Sequence, residues 1–559
     1  MGATSQCNNM NGRPNIILIE DTQVLNSSYS IIIERLLTSQ HSNHLLIFWR
    51  SPGYEWLQPQ ALPILSLIPQ YTYKKYPIKH LRLPRLLSFL DNQAKKWNHT
   101  MLPQFNKEEY IDLSILCNYE YKNSRIGQAT SSLLLRNDPE VNCRGTVKWS
   151  IASHHMNNIS RAIDTISYLA KLFDIRFFYQ SESVYYSYAL TDYAISMGIA
   201  VPYLLTHEGP LVIKEKHRCK VSEIGPSPRK KASITILDKN QTPSTNSLRY
   251  SIAQRIKGKE THNNTTASDV QKVDDICENI TKTLSCKTVT DSGSLNNLLI
   301  HNTTAILYLH AATDGMYLHG YSGYPRPHDF FVDVCTKLST ALCGKINIII
   351  RPHPNLFWGE TSPYPSHCLR AHNEAIIFDS HIHDLLLVAY EVGANPIIVT
   401  ASMKLHELFC IPGAIHISHH GTVLNDAYAY RLKIIATEVS MLYSLLDITN
   451  CLFVKPDTSI DSYIRIVTQT RQERYLDNRR LHAAYQLLPY CTDYFKNLIK
   501  PLSRVPFAAN IEHLDEYIYI KGLSWNSPAL FQESPAAIEL IDSLVRRISC
   551  EASDITSLT

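Results

Sequence analysis

The sequence of 559 residues lacks several features that would assign it to a familiar class. No apolar run approaches the ~20 residues that a membrane-spanning helix needs. The first fifteen residues lack a charged stretch followed by an apolar one, so we expect no signal peptide. The 13 cysteines are scattered singly, without a CxxC pair. This pattern argues against a zinc site or a disulfide framework and favours reduced thiols in the cytoplasm.

The chain also carries little net charge. It has 54 lysines and arginines against 50 aspartates and glutamates, a formal net charge of +4. A nucleic-acid-binding protein would concentrate far more positive charge on one face, so we expect no nucleic-acid partner. The mild excess is compatible with an anionic small ligand and with peripheral contact with an anionic membrane surface.

Apolar strands and helices alternate along the first part of the chain. PNIILIED at 14–21 and HLLIFWR at 44–50 predict buried strands, and YSIIIERLLTSQ at 29–40 predicts a helix between them. Helices and strands alternate again from residue 160 to about 204. This order is typical of a parallel sheet, so we predict one Rossmann-like α/β domain over residues 1–213.

The composition changes at residue 214. Residues 214–298 are polar, basic and rich in turn-forming residues, which predicts a linker or an insertion, with SLRYSIAQRIKGK as a candidate amphipathic helix. Regular alternation resumes over 299–438, including a predicted strand EAIIFD at 374–379. We therefore predict a second doubly wound domain there and a mostly helical region over 439–559.

Two doubly wound domains that face each other enclose a cleft at the carboxyl ends of their strands, where ligands usually bind. Three loops that follow predicted strands are therefore candidate sites. The first, HAATDGMYLHGY, contains Asp314 and Gly315. A carboxylate beside glycine can be approached closely by a substrate, as a general base must be. The alternative is an ordinary Asp-Gly turn.

The second loop is IIIRPHPN, in which three isoleucines predict a strand that ends at Arg351-Pro352-His353-Pro354. The two prolines fix the backbone around His353, and Arg351 adds a permanent positive charge. A rigid imidazole beside a guanidinium is suited to binding a phosphate or to donating a proton to a leaving phosphate. The alternative is a stiffened surface loop.

The third loop, IIVTASMKLHELF, leads from a predicted strand into a helix. Thr400 or Ser402 could cap this helix, whose free N–H groups would bind an anion. Lys404 lies in the first turn, and Glu407 is placed to bind the hydroxyls of a ribose. The alternative is ordinary capping and surface charge.

Together the three loops resemble those of GT-B glycosyltransferases of capsule and surface polysaccharide synthesis. More distantly they resemble the Kdo transferases and the bacterial sialyltransferases that carry HP motifs. YEYKNSRIGQATSSLLLR at 119–136 is similar to a segment of capsule-type transferases in which an aromatic run and Ile-Gly precede a helix. SESVYYSYALTDYAISMGIAVPYL at 181–204 is similar to their tyrosine-rich helix and the following strand.

The resemblance implies a GT-B fold: two Rossmann-like domains around a central cleft, with the donor bound by the second domain, the acceptor by the first, and no metal. It implies that Asp314 is the base and that His353 is a phosphate ligand or acid. It places Ser402 near the donor phosphate and Glu407 on the ribose. Two departures from the pattern are the absence of a second acid beside Asp314 and Arg351 where lysine is more usual.

The implied activity is transfer of a sugar from a nucleotide-sugar to a capsule- or lipopolysaccharide-type acceptor, either an oligosaccharide or a lipid-linked glycan. No cofactor besides the donor is implied, and HP-motif relatives favour a CMP-linked donor. The location implied is the cytoplasm, with peripheral contact at the inner face of the membrane. Three alternatives remain open: a nucleotide-sugar epimerase, a polyol-phosphate transferase, and an inactive GT-B module that only binds its partners.

Overall fold

A computed structural model gives the fold over the greater part of the chain. The residues that it describes are 15–20, 45–49, 106, 108–172, 174–179, 185–199, 201–205, 209–213, 218–220, 222, 249, 252–253, 267–284, 288–313, 317, 320–354, 356, 365–421, 423–445, 447–469 and 475–486. The predicted helix at 29–40 lies outside this set. Of the candidate amphipathic helix at 247–259, the set includes only residues 249, 252 and 253.

The described elements alternate between strands and helices. The strands are β1 (Asn15–Glu20), β2 (Leu45–Trp49), β3 (Tyr110–Asp112), β4 (Thr146–Lys148), β5 (Asp174–Tyr179), β6 (Val201–Leu205), β7 (Gly209–Ile213), β8 (Thr288–Val289), β9 (Thr304–Tyr308), β10 (Asn347–Arg351), β11 (Asn395–Val399), β12 (Ile415–Ile417), β13 (Lys433–Thr437) and β14 (Cys451–Val454). The helices are α1 (Leu113–Leu116), α2 (Ile126–Asn137), α3 (Pro139–Arg144), α4 (Trp149–Leu172), α5 (Tyr186–Ser196), α6 (Ala267–Leu284), α7 (Ser292–Leu298), α8 (Pro327–Ala341), α9 (Pro365–Glu391), α10 (Leu405–Phe409), α11 (Val423–Ala429), α12 (Ile460–Thr468) and α13 (Asn478–Gln486), with a 3-10 helix at Met441–Ser444.

The first half of the chain contains a parallel sheet of three described strands in the order β2-β1-β5. The helices α2, α4 and α5 pack together in one hydrophobic cluster that includes Leu18 of β1 and Phe178 of β5. Gly127 allows α2 to lie directly on α1, because a Cβ there would be 1.8 Å from the carbonyl oxygen of Leu116. The Ile-Gly pair of the sequence pattern therefore has a packing role at the start of α2.

The second half is built on a seven-stranded parallel sheet in the order β14-β13-β12-β9-β10-β11-β8. The chain runs from β9 through β10 to β11 on one side, then crosses to β12 on the other side of β9. In open α/β sheets such a reversal opens a crevice at the carboxyl ends of the strands. The α/β class and the Rossmann-like fold predicted for this region are confirmed.

Two local expectations differ from the structure. EAIIFD at 374–379 was expected to be a strand, but it lies within α9. Its Ile377 and Phe378 are buried together with Ile382 and Leu385, a helical spacing that a short apolar run does not reveal. The region after residue 439, expected to be mostly helical, also contains the strand β14, and residues from 487 onward lie outside the described set.

Part of the polar segment 214–298 belongs to the second sheet. Its residues 288–289 form the edge strand β8, which pairs with β11, and α6 and α7 flank that strand. This half of the segment is folded, although its composition suggested a linker or an insertion. The domain boundaries themselves stay predictions.

The two halves meet through buried polar contacts. Asn142 of α3 donates from Nδ2 to the carbonyl oxygen of Ala312, at 3.1 Å. The guanidinium of Arg326 donates to the carbonyl oxygens of Asn142 at 2.7 Å and Cys143 at 2.5 Å, while the carboxylate of Asp329 holds its other side. The contacts lie just before α8 and just after β9, so they connect α3 to the carboxyl edge of the second sheet. None of the described helices is long and apolar enough to span a lipid bilayer.

Candidate functional site

Four histidines lie at the carboxyl edge of the second sheet, on the three adjacent strands where the strand order reverses. His310 is two residues beyond the end of β9, and His353 is two residues beyond β10. His419 and His420 follow β12. Parallel strands bring their carboxyl ends to one edge, so loops that are up to 110 residues apart in sequence converge there.

The rings of this histidine cluster are in contact. The ring centroids of His310 and His420 are 4.4 Å apart, and those of His310 and His353 are 5.9 Å apart. His419 contacts His420 through the two Nδ1 atoms, and its Nε2 lies 2.9 Å from the hydroxyl of Ser322. His310 therefore contacts both His353 and His420, and His419 joins the cluster through His420.

Two of the imidazoles have a defined chemical state. His310 bonds through Nδ1 to the carbonyl oxygen of Ala311 at 2.8 Å. A carbonyl only accepts, so the proton is on Nδ1, and Nε2 is the atom left for other partners. Burial, with a smaller effect from His310, lowers the pKa of His419 to about 3. His419 is therefore neutral at ordinary pH and supports the cluster by hydrogen bonding.

Arg351, predicted to bind phosphate, connects two strands. Its Nη2 donates to the carbonyl oxygens of Ala401 at 3.3 Å and Met403 at 3.2 Å, in the loop that follows β11. Burial lowers the pKa of Arg351, and the nearby Tyr308 and Asp274 act in the opposite direction. The guanidinium therefore fixes the loop after β11, and its predicted contact with the donor stays a prediction.

Thr400 and Ser402 lie at the predicted anion-binding amides, but a carboxylate of the protein already occupies that position. Asp274 of α6 accepts from the backbone N–H of Ala401 at 2.7 Å and from the hydroxyl of Ser402 at 3.1 Å. The Ser402 hydroxyl also contacts that of Thr400, at 2.9 Å. A donor phosphate could reach these groups only if Asp274 moved away, so their roles stay predictions.

Glu407 caps the N-terminus of α10 at Lys404. The Glu407 carboxylate accepts from the backbone N–H of Lys404 at 2.9 Å and thereby caps the helix N-terminus. This is the ordinary capping alternative, and ribose binding by Glu407 stays a prediction. Asp314 and Gly315 lie outside the described residues, so their proposed roles also stay predictions.

Sequence reasoning placed His353 correctly at the end of a strand but missed His419, His420 and Ser322. His419 and His420 directly follow GAIHIS at 413–418, a predicted strand, so the same search for polar residues at strand ends would have found the pair. Ser322 carries no such signal, since it lies in a loop before α8 and reaches His419 only in the fold. Within the described ranges, no three His, Cys, Asp or Glu side chains are grouped to hold a metal ion.

A second pair of histidines is buried beside the cluster. The rings of His328 and His381 stack with centroids 4.1 Å apart and planes at 10°. Together with His310 and Glu374, they line a cavity of about 20 Å³. Burial lowers the pKa of His328 to about 4 and that of His381 well below its ordinary value, and Arg326 adds to both effects.

We expect acid to destabilise the protein through this buried pair. Each histidine binds a proton less readily in the folded chain than in the unfolded chain, whose pKa is about 6.5. The stability is therefore full above pH 6.5 and falls as the pH decreases towards 4, by up to about 1.4 kcal/mol per pH unit for each histidine. Urea unfolding at pH 7.5 and pH 5 measures the loss. His381→Gln should reduce this pH dependence, and an unchanged dependence would contradict the assignment.

Comparison with known proteins finds no matching family model and no matching curated sequence. Among solved structures, an alpha,alpha-trehalose-phosphate synthase (UDP-forming) from Burkholderia vietnamiensis aligns over 85% of this chain and 95% of that one. The identity is 8% and the TM-score is 0.27, a similarity too slight to carry any weight in assigning a function.

Proposed function

We propose that the chain is a glycosyltransferase that moves a sugar from a nucleotide-sugar donor to a glycan acceptor. The observation that carries this proposal is the histidine cluster at the point where the strand order of the second sheet reverses. Nucleotides bind at this position in open α/β sheets. Imidazoles there can donate hydrogen bonds to phosphate oxygens.

In the proposed reaction, an acceptor hydroxyl oxygen attacks the anomeric carbon of the donor sugar. The bond from that carbon to the phosphate oxygen breaks, and the electron pair leaves with the nucleotide. Asp314 takes the hydroxyl proton, a role that assumes inversion at the anomeric carbon. Negative charge grows on the leaving phosphate, where His353 is placed to donate a hydrogen bond.

The donor is proposed to bind the second half of the chain, because the cluster is built on β9, β10 and β12. The acceptor, an oligosaccharide or a lipid-linked surface glycan, is proposed to approach from the first half. We further propose that the reaction needs no metal, that the donor is CMP-linked, and that the protein works in the cytoplasm with peripheral membrane contact. These details follow from the family resemblance alone.

Thermal unfolding with CMP, CDP, UDP, GDP and ADP tests the proposal. A nucleotide at about 100 times its dissociation constant should stabilise the protein by about 2.7 kcal/mol, which gives a measurable shift in melting temperature. A shift with one nucleotide identifies the donor class. Turnover of that nucleotide-sugar with and without added glycan then separates transfer from epimerisation. No shift with any of the five nucleotides would contradict a preformed donor site.

A further inference from the structure

The turn that follows β9 is held by one buried carboxylate. Glu374 of α9 accepts from the backbone N–H of Ala312 at 3.1 Å and from that of Thr313 at 2.5 Å. It also accepts from the hydroxyl of Thr313. Three donors from two consecutive residues thus converge on a side chain that is 1% exposed.

The hydrogen-bond donors around Glu374 match a carboxylate acceptor. The Nε of Arg370, one helical turn earlier, donates to the Thr313 hydroxyl at 3.2 Å, so that hydroxyl must direct its own hydrogen to Glu374. Burial raises the pKa of Glu374 above its ordinary value, and the charge of Arg370 and the donors of Thr313 and Ala312 offset that effect only in part. Only the carboxylate form can accept all three hydrogen bonds together.

The first half of the chain holds the same turn from the opposite side. Asn142 donates to the carbonyl oxygen of Ala312 at 3.1 Å, and the hydroxyl of Tyr185 donates to the carbonyl oxygen of Thr313 at 3.5 Å. Tyr185 has a φ of 53°, a conformation that costs energy for a residue with a side chain. The turn is therefore fixed at the junction between the two halves.

We propose that Glu374 is a positioning residue that fixes this turn and, through it, the imidazole of His310 in the histidine cluster. His310 lies two residues before Ala312, and its Nδ1 is bonded to the carbonyl oxygen of Ala311. A shift of the turn therefore moves the ring that contacts both His353 and His420. The catalytic part of this inference rests on the proposed glycosyltransferase function, whereas its structural part does not.

A purely stabilising role is the competing explanation, because loss of a buried, hydrogen-bonded carboxylate destabilises many proteins. The two roles differ in what else changes. A stabilising residue alters global unfolding alone, whereas a positioning residue also alters the local opening of the turn and the rate constant of the bound complex.

Hydrogen exchange tests the structural part without any substrate. In Glu374→Gln, the side-chain NH2 group cannot accept a hydrogen bond. The one remaining oxygen would therefore have to accept from all three donors. We expect the amides of Ala312 and Thr313 to exchange at least tenfold faster than in the wild type, with the amides of β11 unchanged. Asp447→Asn, which weakens the pair with Arg480 elsewhere in the fold, is the control and should leave the turn unchanged. Unchanged exchange at the turn in Glu374→Gln would overturn the proposal.

Steady-state kinetics tests the catalytic part. A displacement of about 1 Å can cost about 100-fold in rate, so we expect kcat to fall by up to that factor in Glu374→Gln, with the donor KM within twofold of wild type. Thr313→Ser keeps the hydroxyl and should retain kcat, whereas Thr313→Val should lower it. A kcat that stays at the wild-type value in both Glu374→Gln and Thr313→Val would overturn the catalytic part.

The two sets of results separate failure of this inference from failure of the proposed function. If the wild type transfers no sugar from any donor, the proposed function fails, and hydrogen exchange still decides whether Glu374 fixes the turn. If the wild type is active and Glu374→Gln keeps both its exchange pattern and its kcat, only the positioning role fails.

Discussion

Replacing His353 with alanine is expected to lower the rate of sugar transfer by about 10²- to 10³-fold, the usual loss when one donor to a developing negative charge is removed. His353 follows β10, and its ring centroid is 5.9 Å from that of His310. This is the edge of the sheet where the leaving phosphate is proposed to bind. The same substitution should abolish the nucleotide-dependent shift in melting temperature. Initial rates with a saturating donor, together with the thermal shift, measure both effects.

The matched control is His372→Ala. His372 is exposed on α9, so the substitution removes an imidazole of the same kind without touching the cluster. Its transfer rate and nucleotide shift should equal those of the wild type. If His353→Ala and His372→Ala behave alike, the donor phosphate does not bind at the histidine cluster.

The parts of the fold that the sequence predicts best are those with strictly local signals. Runs such as INIII before Arg351 identify buried strands without reference to the rest of the chain, and the strand-helix alternation then predicts a parallel sheet. EAIIFD shows the limit of that method, because a run of four apolar residues is compatible with either a buried strand or part of a buried helix. The long helix α9 is recognisable only when the buried positions on both sides are known.

The site is predictable in part for the same reason. His353 is found from sequence because its strand, its prolines and its own position are contiguous. The sequence does not reveal that Asp274 binds the groups near Ser402. Asp274 lies 128 positions away and belongs to a segment whose composition suggested a linker. A local pattern identifies groups that could bind an anion, but only the fold shows that a carboxylate of the chain already binds there.

A second large effect is expected in the first half of the chain, where Arg125 and Asp192 form a buried ion pair. The Nε and Nη2 of Arg125 donate to the two carboxylate oxygens of Asp192 at 2.7 and 2.6 Å, and the guanidinium packs on the ring of Tyr188 at 5.0 Å. The side chains are 9% and 0% exposed. The pair connects the start of α2 to α5, a helix that is buried along its whole length.

Arg125→Met should lower the free energy of unfolding by about 3–5 kcal/mol, because it leaves the Asp192 carboxylate buried without its counter-charge. The midpoint of urea unfolding, at constant slope, measures this loss. Glu140→Gln is the control, since the pair of Glu140 with Arg144 is exposed on both sides and such pairs contribute little.

The double variant Arg125→Met with Asp192→Leu decides the cause of that loss. If the cost comes from an uncompensated buried charge, removing the second charge should recover much of it, because apolar replacements of buried pairs are often neutral or stabilising. If instead the guanidinium matters for its packing on Tyr188, the double variant will be no more stable than Arg125→Met. Recovery would mean that the pair adds specificity to the contact between α2 and α5 at little net gain in stability.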